Sequence, residues 1–378
     1  MQWMVLFNDL DARQRQVVTT VSGNSHQMHW VLGWAGTGKT LVVTNALISI
    51  ATKNRAAKIC FVTYTHSLKD LVESGLEKPV LARVTIRTID TFKNETEKYD
   101  YIVVDEVQDI KEDLIKLLKG RAKYLIVAGD PEQSIFPKAA SPEKLEALLS
   151  TAERHELTEI HRFPPSIFKL AKIVHPNNKT QRGNKTNEPD FKIRKMRFNS
   201  YQEECVSVMS EASRSSEEEI PSAILFPTHL KLQNFAKEIS KKNGWGAVPE
   251  VTEKNGHLPN YDEFNQHFLK RKSPIQFLGS DNGSLKESDD RKIVYLLTYY
   301  SAKGLDFSTV FIPGLNHDFN VGGLPATHNS DWYKLKLSRL LFVAVTRARE
   351  RLYLSSYGDP FGVIKSLPKE ICENYSPK

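Results

Sequence analysis

The amino-acid sequence predicts an α/β protein with two domains, each a mostly parallel sheet flanked by helices. Three observations lead to this prediction. The 378 residues exceed what one hydrophobic core usually organises, and 40% of them are apolar. Short runs rich in Val, Ile and Leu alternate with helix-like segments, which is typical of strands buried on both faces of a parallel sheet. The alternation occurs once before about residue 150 and again after it.

The candidate strands and helices follow one another in order along the chain. In the first half they are "HWVLGW" and "TLVVTNALISIATK", "KICFVTY" and "HSLKDLVESGLEK", "YDYIVVDE" and "IKEDLIKLLKG", and then "YLIVAGD". In the second half the strand candidates are "SAILFPT", "KIVYLLTYY", "TVFIPGL" and "ERLYLSS". We therefore predict a first domain over residues 1–155 and a second over residues 156–378, with a small insertion around residues 243–292.

Composition limits the function classes. Lys and Arg number 52 against 45 Asp and Glu, a net charge of +7, which suits a polyanionic partner. Residues 169–197 hold nine basic and two acidic residues, and a solvated loop explains this as well as a nucleic-acid-facing surface does. The three cysteines lie far apart, so they suggest neither a disulfide framework nor a metal site. Apolar runs are too short for a signal peptide or a membrane span, and we expect a cytoplasmic protein.

The segment "GWAGTGKT", residues 33–40, matches the phosphate-binding pattern G-x-x-x-x-G-K-[ST] between a strand candidate and a helix candidate. Glycines allow backbone amides to turn toward phosphate oxygens, Lys39 adds a charge on the β- and γ-phosphates, and the Thr40 hydroxyl can ligate Mg²⁺. ATP and Mg²⁺ are the expected cofactors. The predicted nucleotide-binding residues of this loop are Gly33, Gly36, Thr37, Gly38, Lys39 and Thr40.

The segment "YIVVDEVQD" supplies the other groups that ATP hydrolysis requires. Asp105 would hold Mg²⁺ together with Thr40, and Glu106 would orient and deprotonate the attacking water. Gln133 in "AGDPEQS" would sense the γ-phosphate, because ligands of open α/β sheets gather at the carboxyl ends of the strands. An Asp-Glu pair after a strand is by itself usually a solvated strand end, and the phosphate-binding loop makes the catalytic interpretation strong.

From about Leu10 to Ser355, the ordered motifs "DEVQD", "GDPEQSI", "SAKGLDF" and "VAVTRAR" resemble those of the UvrD/Rep-type superfamily 1 helicases. The resemblance implies two RecA-like P-loop domains that hold ATP between them. It also implies movement along single-stranded DNA, usually in the 3′ to 5′ direction.

The resemblance further implies roles for individual residues. Gln14 resembles the glutamine that reads the adenine, and His161 stands where the family has a tyrosine stacked on that base. Arg162 in "LTEIHRFPP" and Arg347 in "VAVTRAR" resemble the arginines that reach the γ-phosphate from the second domain. Asp306 of "AKGLDF" resembles a carboxylate, usually glutamate, that contacts the ribose. Of the two following arginines, Arg349 is expected to support the motif and Arg351 to be an ordinary surface residue.

The segments "VTYTHS", "TIRTIDTF" and "TYYSAKG" resemble the motifs that hold the DNA backbone. Hydroxyls and backbone amides at loop tips position phosphates without reading base sequence, which suits a translocase. Phe136 is a candidate platform for base stacking, with an ordinary core phenylalanine as an equally good interpretation. The implied nucleic-acid-binding residues are Thr63, Tyr64, His66, Thr88, Phe136, Thr298 and Ser301.

Family members carry a sizeable insertion where Phe92 and Asp105 are only thirteen positions apart, so the chain resembles a bare motor core. The leading hypothesis is a DNA-stimulated ATPase that translocates on single-stranded DNA, with RNA as the alternative track. The second is a nucleic-acid-sensing ATPase switch that regulates a partner such as a nuclease, with little unwinding. A P-loop kinase for a small molecule would leave the C-terminal arginine motif unexplained.

Overall fold

The computed structural model describes residues 4–23, 25–136, 138–176, 184–185, 189–251, 260–279, 282–322 and 330–377. The chain forms two units. The N-terminal unit comprises the described residues up to Arg162 together with residues 184–185, and the C-terminal unit comprises the described parts of 163–177 and 187–378. Parts of the basic stretch (177–183 and 186–188) and of the predicted insertion (252–259 and 280–281) lie outside the described residues.

The N-terminal unit contains a six-stranded parallel sheet in the order β3-β2-β4-β5-β1-β6. Its strands are β1 (Met28–Gly33), β2 (Ile59–Thr63), β3 (Val84–Thr88), β4 (Tyr99–Val104), β5 (Ala122–Ala128) and β6 (Glu153–Leu157). Two short parallel strands, β7 (Glu159–Ile160) and β8 (Asn184–Lys185), pair separately. The helices are α1 (Ala12–Val21), α2 (Lys39–Lys53), α3 (His66–Gly75), α4 (Lys78–Leu81), α5 (Ile89–Phe92), α6 (Glu112–Arg121) and α7 (Pro142–Leu148), with 3₁₀ turns at Phe7–Asp9, Val107–Asp109 and Pro131–Gln133.

Both faces of this sheet are buried. Val31 of β1 packs with Val17 and Val43 of α1 and α2, whereas its neighbour Trp30 packs on the opposite face with Ile115 of α6. Successive strand residues point to opposite faces, so a strand covered on both sides is apolar at most positions. This explains the continuous apolar runs in the sequence.

The C-terminal unit contains a seven-stranded parallel sheet in the order β11-β12-β10-β13-β14-β9-β15. Its strands are β9 (Ile193–Phe198), β10 (Ser222–Phe226), β11 (Ile275–Phe277), β12 (Val294–Thr298), β13 (Phe307–Ile312), β14 (Ala348–Tyr357) and β15 (Cys372–Asn374). The helices are α8 (Pro165–Val174), α9 (Tyr201–Ser215), α10 (His229–Lys242), α11 (Asp262–Leu269), α12 (Ser330–Val345) and α13 (Gly362–Lys365), with a 3₁₀ helix at Leu285–Asp289.

These two parallel sheets flanked by helices confirm the predicted fold class. Strand β6 spans the predicted boundary at residue 155 and pairs with β1 along its whole length. His161, assigned by sequence to the second domain, lies with the N-terminal unit, and its backbone N–H bonds the carbonyl of Gly36. Within the predicted insertion, β11 forms an edge strand of the second sheet. Among the helices that the structure describes, none has both the length and the apolar character needed to cross a membrane.

Candidate functional site

The loop between β1 and α2 is shaped by its glycines. Gly36 and Gly38 have φ angles of 83° and 81°, in the left-handed region that glycine adopts at low cost. The Thr37 hydroxyl donates to the carbonyl of Trp34 at 2.9 Å, which tightens the turn. A Cβ atom on Gly33 would lie 2.4 Å from the Thr37 oxygen. The loop therefore requires glycine at these positions to leave its amides at the N-terminus of α2, where a phosphate is favoured.

Lys39 is the first residue of α2 and is buried within the loop. Its Nζ donates to the carbonyl of Gly33 at 2.7 Å and to that of Trp34 at 3.2 Å. Both partners are neutral oxygens, and a charged phosphate oxygen is a stronger acceptor for an ammonium group. The lysine is thus held in position for an anionic ligand by weaker interactions than the ligand would provide.

Four charged residues surround Lys39 electrostatically. Burial lowers the pKa of Lys39, and the carboxylates of Glu106, Asp130 and Asp105 oppose that effect, whereas the positive charge of Arg162 adds to it. The structure therefore brings together residues from the ends of β1, β4 and β5 and from the segment after β7. Of these, Asp130 was not predicted from the sequence.

Thr40 and Asp105 are directly linked. The Thr40 hydroxyl donates to Oδ2 of Asp105 at 2.5 Å, and the backbone N–H of Glu106 donates to Oδ1 at 3.0 Å. Asp105 is 1% exposed, and burial, followed by the neighbouring Glu106 carboxylate, raises its pKa well above the usual range. A hydroxyl beside a buried carboxylate is an oxygen donor set that suits Mg²⁺, and a bound cation would relieve the repulsion between the two acids. The residues present fit the metal.

Glu106 has an unusual backbone conformation that a second network supports. Its φ and ψ of 56° and 43° are left-handed, which costs a non-glycine residue on the order of 1–3 kcal/mol. The amide of Gln108, which is fully buried, donates to the Glu106 carboxylate and accepts the backbone N–H of Asp130 at 3.1 Å. Asp130 in turn accepts from Nε2 of Gln133 at 2.7 Å. The network connects the predicted base to the predicted γ-phosphate sensor.

Gln108 was missed at the sequence level. The signal available was a polar residue directly after a buried strand, next to the predicted acids. Its amide lies so close to Gly129 that a Cβ there would be 2.1 Å from Oε1. That contact joins the ends of two strands and cannot be seen from either segment alone.

Gln14 and His161 meet at the phosphate-binding loop through Asp11. Asp11 caps α1 by accepting the backbone N–H of Gln14 at 2.8 Å, and the Gln14 side chain accepts the Asp11 N–H at 3.1 Å. The Gln14 amide also donates to the carbonyl of Thr37 at 3.1 Å. His161 Nε2 lies 2.8 Å from Oδ2 of Asp11. The two predicted adenine-binding residues thus lie beside the loop, and Asp11 is a connecting residue that the sequence did not reveal.

Two of the predicted nucleic-acid motifs meet Phe136 elsewhere in the N-terminal unit. The rings of Tyr64 and Phe136 lie with centroids 4.4 Å apart at 37°. A cavity of about 250 Å³ beside them is lined by Tyr64, Ile89 and Lys138 among others, and Ile89 directly follows Thr88. The aromatic pair therefore borders the end of β3 and a cavity whose lining mixes three lysines with three aspartates, Lys93, Lys111, Lys138, Asp90, Asp109 and Asp113.

The hydroxyl groups of this region lie deeper than the aromatic pair. Thr63 is fully buried, and its Oγ1 has no hydrogen-bond partner within the part of the chain that the structure describes. Thr88 is buried and caps α5, with its oxygen 3.1 Å from that of Thr91. His66, by contrast, is exposed as the first residue of α3. Of these three predicted residues, only His66 is at the surface.

In the C-terminal unit, Thr298 and Ser301 form a local pair at the end of β12. Their hydroxyl oxygens lie 2.9 Å apart, and the Ser301 N–H donates to Thr298 at 3.0 Å. Asp306, which is half-buried, lies 3.8 Å from the guanidinium of Arg349. This gives Arg349 a structural role beside the predicted ribose contact.

Arg347 follows the end of α12 and is 4% exposed. Its Nε donates to the carbonyl of Val343 at 2.9 Å, its Nη1 to that of Leu305 at 3.0 Å and its Nη2 to the Thr346 hydroxyl at 3.2 Å. These partners are neutral groups of the same unit. Arg351, in contrast, is exposed on β14.

Two family models match separate parts of the chain. The model of an AAA domain matches residues 14–138, and that of the UvrD-like helicase C-terminal domain matches residues 266–359. The first match contains the P-loop, the Asp-Glu pair and Gln133, and the second contains Thr298, Asp306 and Arg347.

Curated relatives are similar to part of this chain. ATP-dependent DNA helicase PcrA of Staphylococcus aureus is 29% identical over an alignment of 182 residues that covers 42% of this chain and 25% of that protein. PcrA of Staphylococcus epidermidis is 26% identical over 172 residues, 39% of this chain and 24% of that protein. The chain thus spans about a quarter of the length of these relatives. A solved complex of the Arterivirus nonstructural protein 10 (helicase) with DNA matches at 14% identity and a TM-score of 0.45, covering 94% of this chain and 66% of that one.

Proposed function

Because this chain belongs to the UvrD-like superfamily 1 helicases, we propose that it hydrolyses ATP to move in the 3′ to 5′ direction along single-stranded DNA. The observation that carries the proposal is the convergence of Lys39, Thr40, Asp105 and Glu106 at the carboxyl ends of neighbouring strands. This is the arrangement of charges that phosphoryl transfer from ATP requires.

The residues of the loop bind the triphosphate. The amides at the start of α2 and the ammonium group of Lys39 contact phosphate oxygens, so Lys39 exchanges two neutral carbonyl partners for charged ones. Gln14 and His161 lie beside the adenine, and Asp306 contacts the ribose. Thr40 and Asp105 hold Mg²⁺, which neutralises phosphate charge when it is bound.

Glu106 accepts the proton of the attacking water. Its carboxylate is oriented by the amide of Gln108, which is itself fixed by the backbone of Asp130. Gln133, bonded to the Asp130 side chain, reports the presence of the γ-phosphate to the same network. Arg162 and Arg347 stabilise the negative charge that spreads over the transferred phosphoryl group.

Single-stranded DNA is held by its backbone and by stacking. Tyr64 and Phe136 offer an aromatic platform, and the exposed His66 and the loops that carry Thr63, Thr88, Thr298 and Ser301 position phosphates. Thr63, Thr88 and Thr298 are buried, so their hydroxyls would reach a phosphate only if these loops rearrange. Such contacts do not read base sequence, and their affinity falls steeply with salt because counterions are released on binding.

A second candidate function is a nucleic-acid-sensing ATPase that regulates a protein partner, such as a nuclease, with little unwinding. The direct passage from α5, which ends at Phe92, to β4, which starts at Tyr99, favours it. No segment at this position is long enough to form an extra domain that grips a duplex. Opening a duplex must overcome about 1.4 kcal/mol of stacking for each base-pair step.

ATP hydrolysis measured with single-stranded DNA, duplex DNA and RNA tests the proposed substrate. We expect strong stimulation by single-stranded DNA, weaker stimulation by duplex DNA, and a loss of stimulation as salt rises. Equal rates with and without any nucleic acid would contradict both candidate functions. Stimulation by RNA alone would contradict DNA as the track.

Strand displacement from duplexes of increasing length, carrying either a 3′ or a 5′ tail, separates the two candidates. We expect displacement of short duplexes from 3′ tails and poor unwinding of long ones. Removal of a protein bound to single-stranded DNA would support translocation, and stimulated hydrolysis without any displacement would favour the regulatory switch. Activity from 5′ tails alone would contradict the proposed polarity.

A further inference from the structure

Three histidines and a glutamate cluster at the start of β1 and β6, at the opposite end of β1 from the phosphate-binding loop. His29 of β1 is in register with Glu153 of β6, and Val31 with His155. Since alternate residues of a strand share a face, His29, Glu153 and His155 point to the same side of the sheet. His26, from the segment that leads into β1, approaches the same group. None of these residues takes part in the proposed ATP or DNA chemistry.

The distances within this cluster match those between ligands of one metal ion. Nδ1 of His29 lies 3.1 Å from Nε2 of His155 and 3.2 Å from Oε2 of Glu153, and the last two atoms are 3.8 Å apart. Nδ1 of His26 lies 2.8 Å from the same Glu153 oxygen. With zinc–ligand bonds of about 2.0–2.1 Å, two ligands of a tetrahedral site lie about 3.3 Å apart. Three donor atoms, from His29, Glu153 and His155, thus lie mutually near this separation, and His26 approaches them through Glu153.

Hydrogen bonding within the protein accounts for only part of the cluster, the pair formed by Nδ1 of His29 and Nε2 of His155. Oε2 of Glu153 is buried and makes no hydrogen bond with any described residue, although ring nitrogens face it. Nε2 of His29 is buried and likewise lacks a hydrogen-bond partner within the described ranges. An unsatisfied buried polar atom costs about 1–3 kcal/mol. A cation between the ring nitrogens and the carboxylate would compensate for that cost at Oε2 of Glu153, whereas Nε2 of His29 lies on the other side of the ring from Nδ1.

The protonation states suit metal binding. Burial, followed by the charge of His155, lowers the pKa of His29 to about 4, and burial also lowers that of His155. Burial thus favours the neutral form of both rings, and a neutral imidazole presents the lone pair that a metal needs. The carboxylate supplies negative charge in the same place.

We propose that His26, His29, Glu153 and His155 form a structural zinc site that fastens the edge strand β6 to β1. Imidazole with one carboxylate is a ligand set that Zn²⁺ accepts, and four protein ligands leave no open position, as in structural rather than catalytic sites. Strand β6 lies at the edge of its sheet and leads through β7 to His161 and Arg162. Zinc here fixes the strand that carries those residues relative to the strand that carries the phosphate-binding loop.

Zinc content and thermal melting of the whole chain, without ATP or DNA, test this site independently of the proposed function. We expect one Zn²⁺ per chain after exposure to zinc and removal of the excess, and release of it to a strong chelator. At a zinc concentration about one hundred times the Kd, the Tm of the metal-free protein should rise by about 5–10 °C. Calorimetric titration of the metal-free protein gives the affinity.

Two variants and one control examine the ligands. His26→Ala removes a half-exposed ring without opening the core, and Glu153→Gln keeps the shape of its side chain. Each should weaken zinc binding at least about tenfold and reduce the Tm increase. His317→Ala, which removes an exposed histidine of the C-terminal unit, should leave both unchanged.

Three results would overturn the proposal. The first is the absence of saturable zinc binding. The second is equal zinc affinity in the wild type, His26→Ala and Glu153→Gln, since that would mean adventitious binding. The third is loss of zinc in His161→Ala but not in His26→Ala, which would move the metal to the group formed by Asp11, Glu159 and His161.

Discussion

The two units of this protein hold their buried charges in different ways. In the N-terminal unit, Lys39, Asp105 and Glu106 act on one another, with the pKa of the lysine lowered and that of the aspartic acid raised by burial. In the C-terminal unit, Arg347 is buried and donates to the neutral carbonyls of Val343 and Leu305. The first arrangement places like charges side by side, which a ligand can neutralise, whereas in the second the guanidinium donates to carbonyls of its own unit.

The two arrangements also affect the stability of their units differently. The left-handed backbone of Glu106 and the adjacent carboxylates destabilise the N-terminal unit slightly, which is common where a site is preorganised for a ligand. Arg347 must release carbonyl partners before it can act on phosphate. We therefore expect the nucleotide-binding side chains of the N-terminal unit to be in position before ATP binds. Arg347 should contact phosphate only during turnover.

The largest expected effect is that of Arg347→Ala. If this guanidinium stabilises the transferred phosphoryl group, kcat for ATP hydrolysis should fall by about 10³-fold or more, with little change in nucleotide affinity. The measurement is steady-state hydrolysis together with nucleotide binding at equilibrium. Arg351→Ala, which changes an exposed arginine on β14, is the matched control and should be nearly silent.

Because Arg347 is buried, thermal melting must accompany the kinetics. A loss of kcat in a variant that melts near the wild-type temperature supports the catalytic role. Equal loss of activity in Arg347→Ala and Arg351→Ala, or activity that returns fully at a temperature where Arg347→Ala is folded, would mean that the motif is structural.

Glu106→Gln should have the next largest effect. The substitution keeps the size of the side chain but removes the base, so kcat should fall by about 10²- to 10⁴-fold while ATP binding is retained. Lys39→Ala, in contrast, should abolish hydrolysis and also weaken ATP binding. Single-turnover hydrolysis with labelled ATP distinguishes the two, and robust turnover by Glu106→Gln would refute its assignment as the base.

Sequence patterns predicted those parts of the protein that are continuous in the chain. The phosphate-binding loop and the Asp-Glu pair were found because a strand, a loop and a helix follow one another locally. The contact of Gln108 with Asp130 was missed because it joins the ends of two strands. Strand β11 was assigned to an insertion because three residues carry too little periodicity to be recognised as part of a sheet.

The histidine cluster is a second contact between distant segments that sequence patterns did not predict. His29 and His155 are 126 positions apart, and neither belongs to a recognisable spacing of metal ligands. Only the parallel register of β1 and β6 brings them together. Long-range register depends on the packing of both faces of the sheet, which no short segment specifies.

Phe136→Ala tests the nucleic-acid side of the N-terminal unit. If the ring stacks on a base beside Tyr64, its loss should cost about 1–3 kcal/mol, or roughly 5- to 150-fold in affinity for single-stranded DNA. Fluorescence anisotropy with a labelled oligonucleotide at fixed salt measures this. Phe191→Ala, at an exposed phenylalanine of the C-terminal unit, is the control, and equal affinities for both variants would show that Phe136 is an ordinary packing residue.

The smallest expected effect is that of Asp105→Asn on the Tm. Burial raises the pKa of Asp105 in the folded state, so the folded protein binds this proton more tightly than the unfolded chain does. At high pH, Asp105 is ionised in both the folded and the unfolded state, and its buried charge then lowers the free energy of unfolding. This destabilisation disappears as pH falls below the unfolded pKa of 3.8. We expect Asp105→Asn to raise the Tm at pH 8 without Mg²⁺ by about 2–4 °C, or about 1 kcal/mol, and to have little effect near pH 4.

In the C-terminal unit, we expect Arg347→Ala to lower the Tm, which is the opposite of the change expected for Asp105→Asn at pH 8. Arg347→Ala removes the donor to the buried carbonyl of Leu305, while that of Val343 still accepts from the Thr346 hydroxyl. It should lower the Tm at both pH values, because an arginine stays charged throughout this range and an unpaired carbonyl costs free energy regardless of pH. Thermal melts of both variants in chelator at pH 4 and pH 8, with Asp318→Asn as an exposed carboxylate control, measure the signs directly. If Asp105→Asn is less stable than the wild type at pH 8, the hydrogen bonds from Thr40 and Glu106 outweigh the buried charge, and the two units hold their charges by the same means.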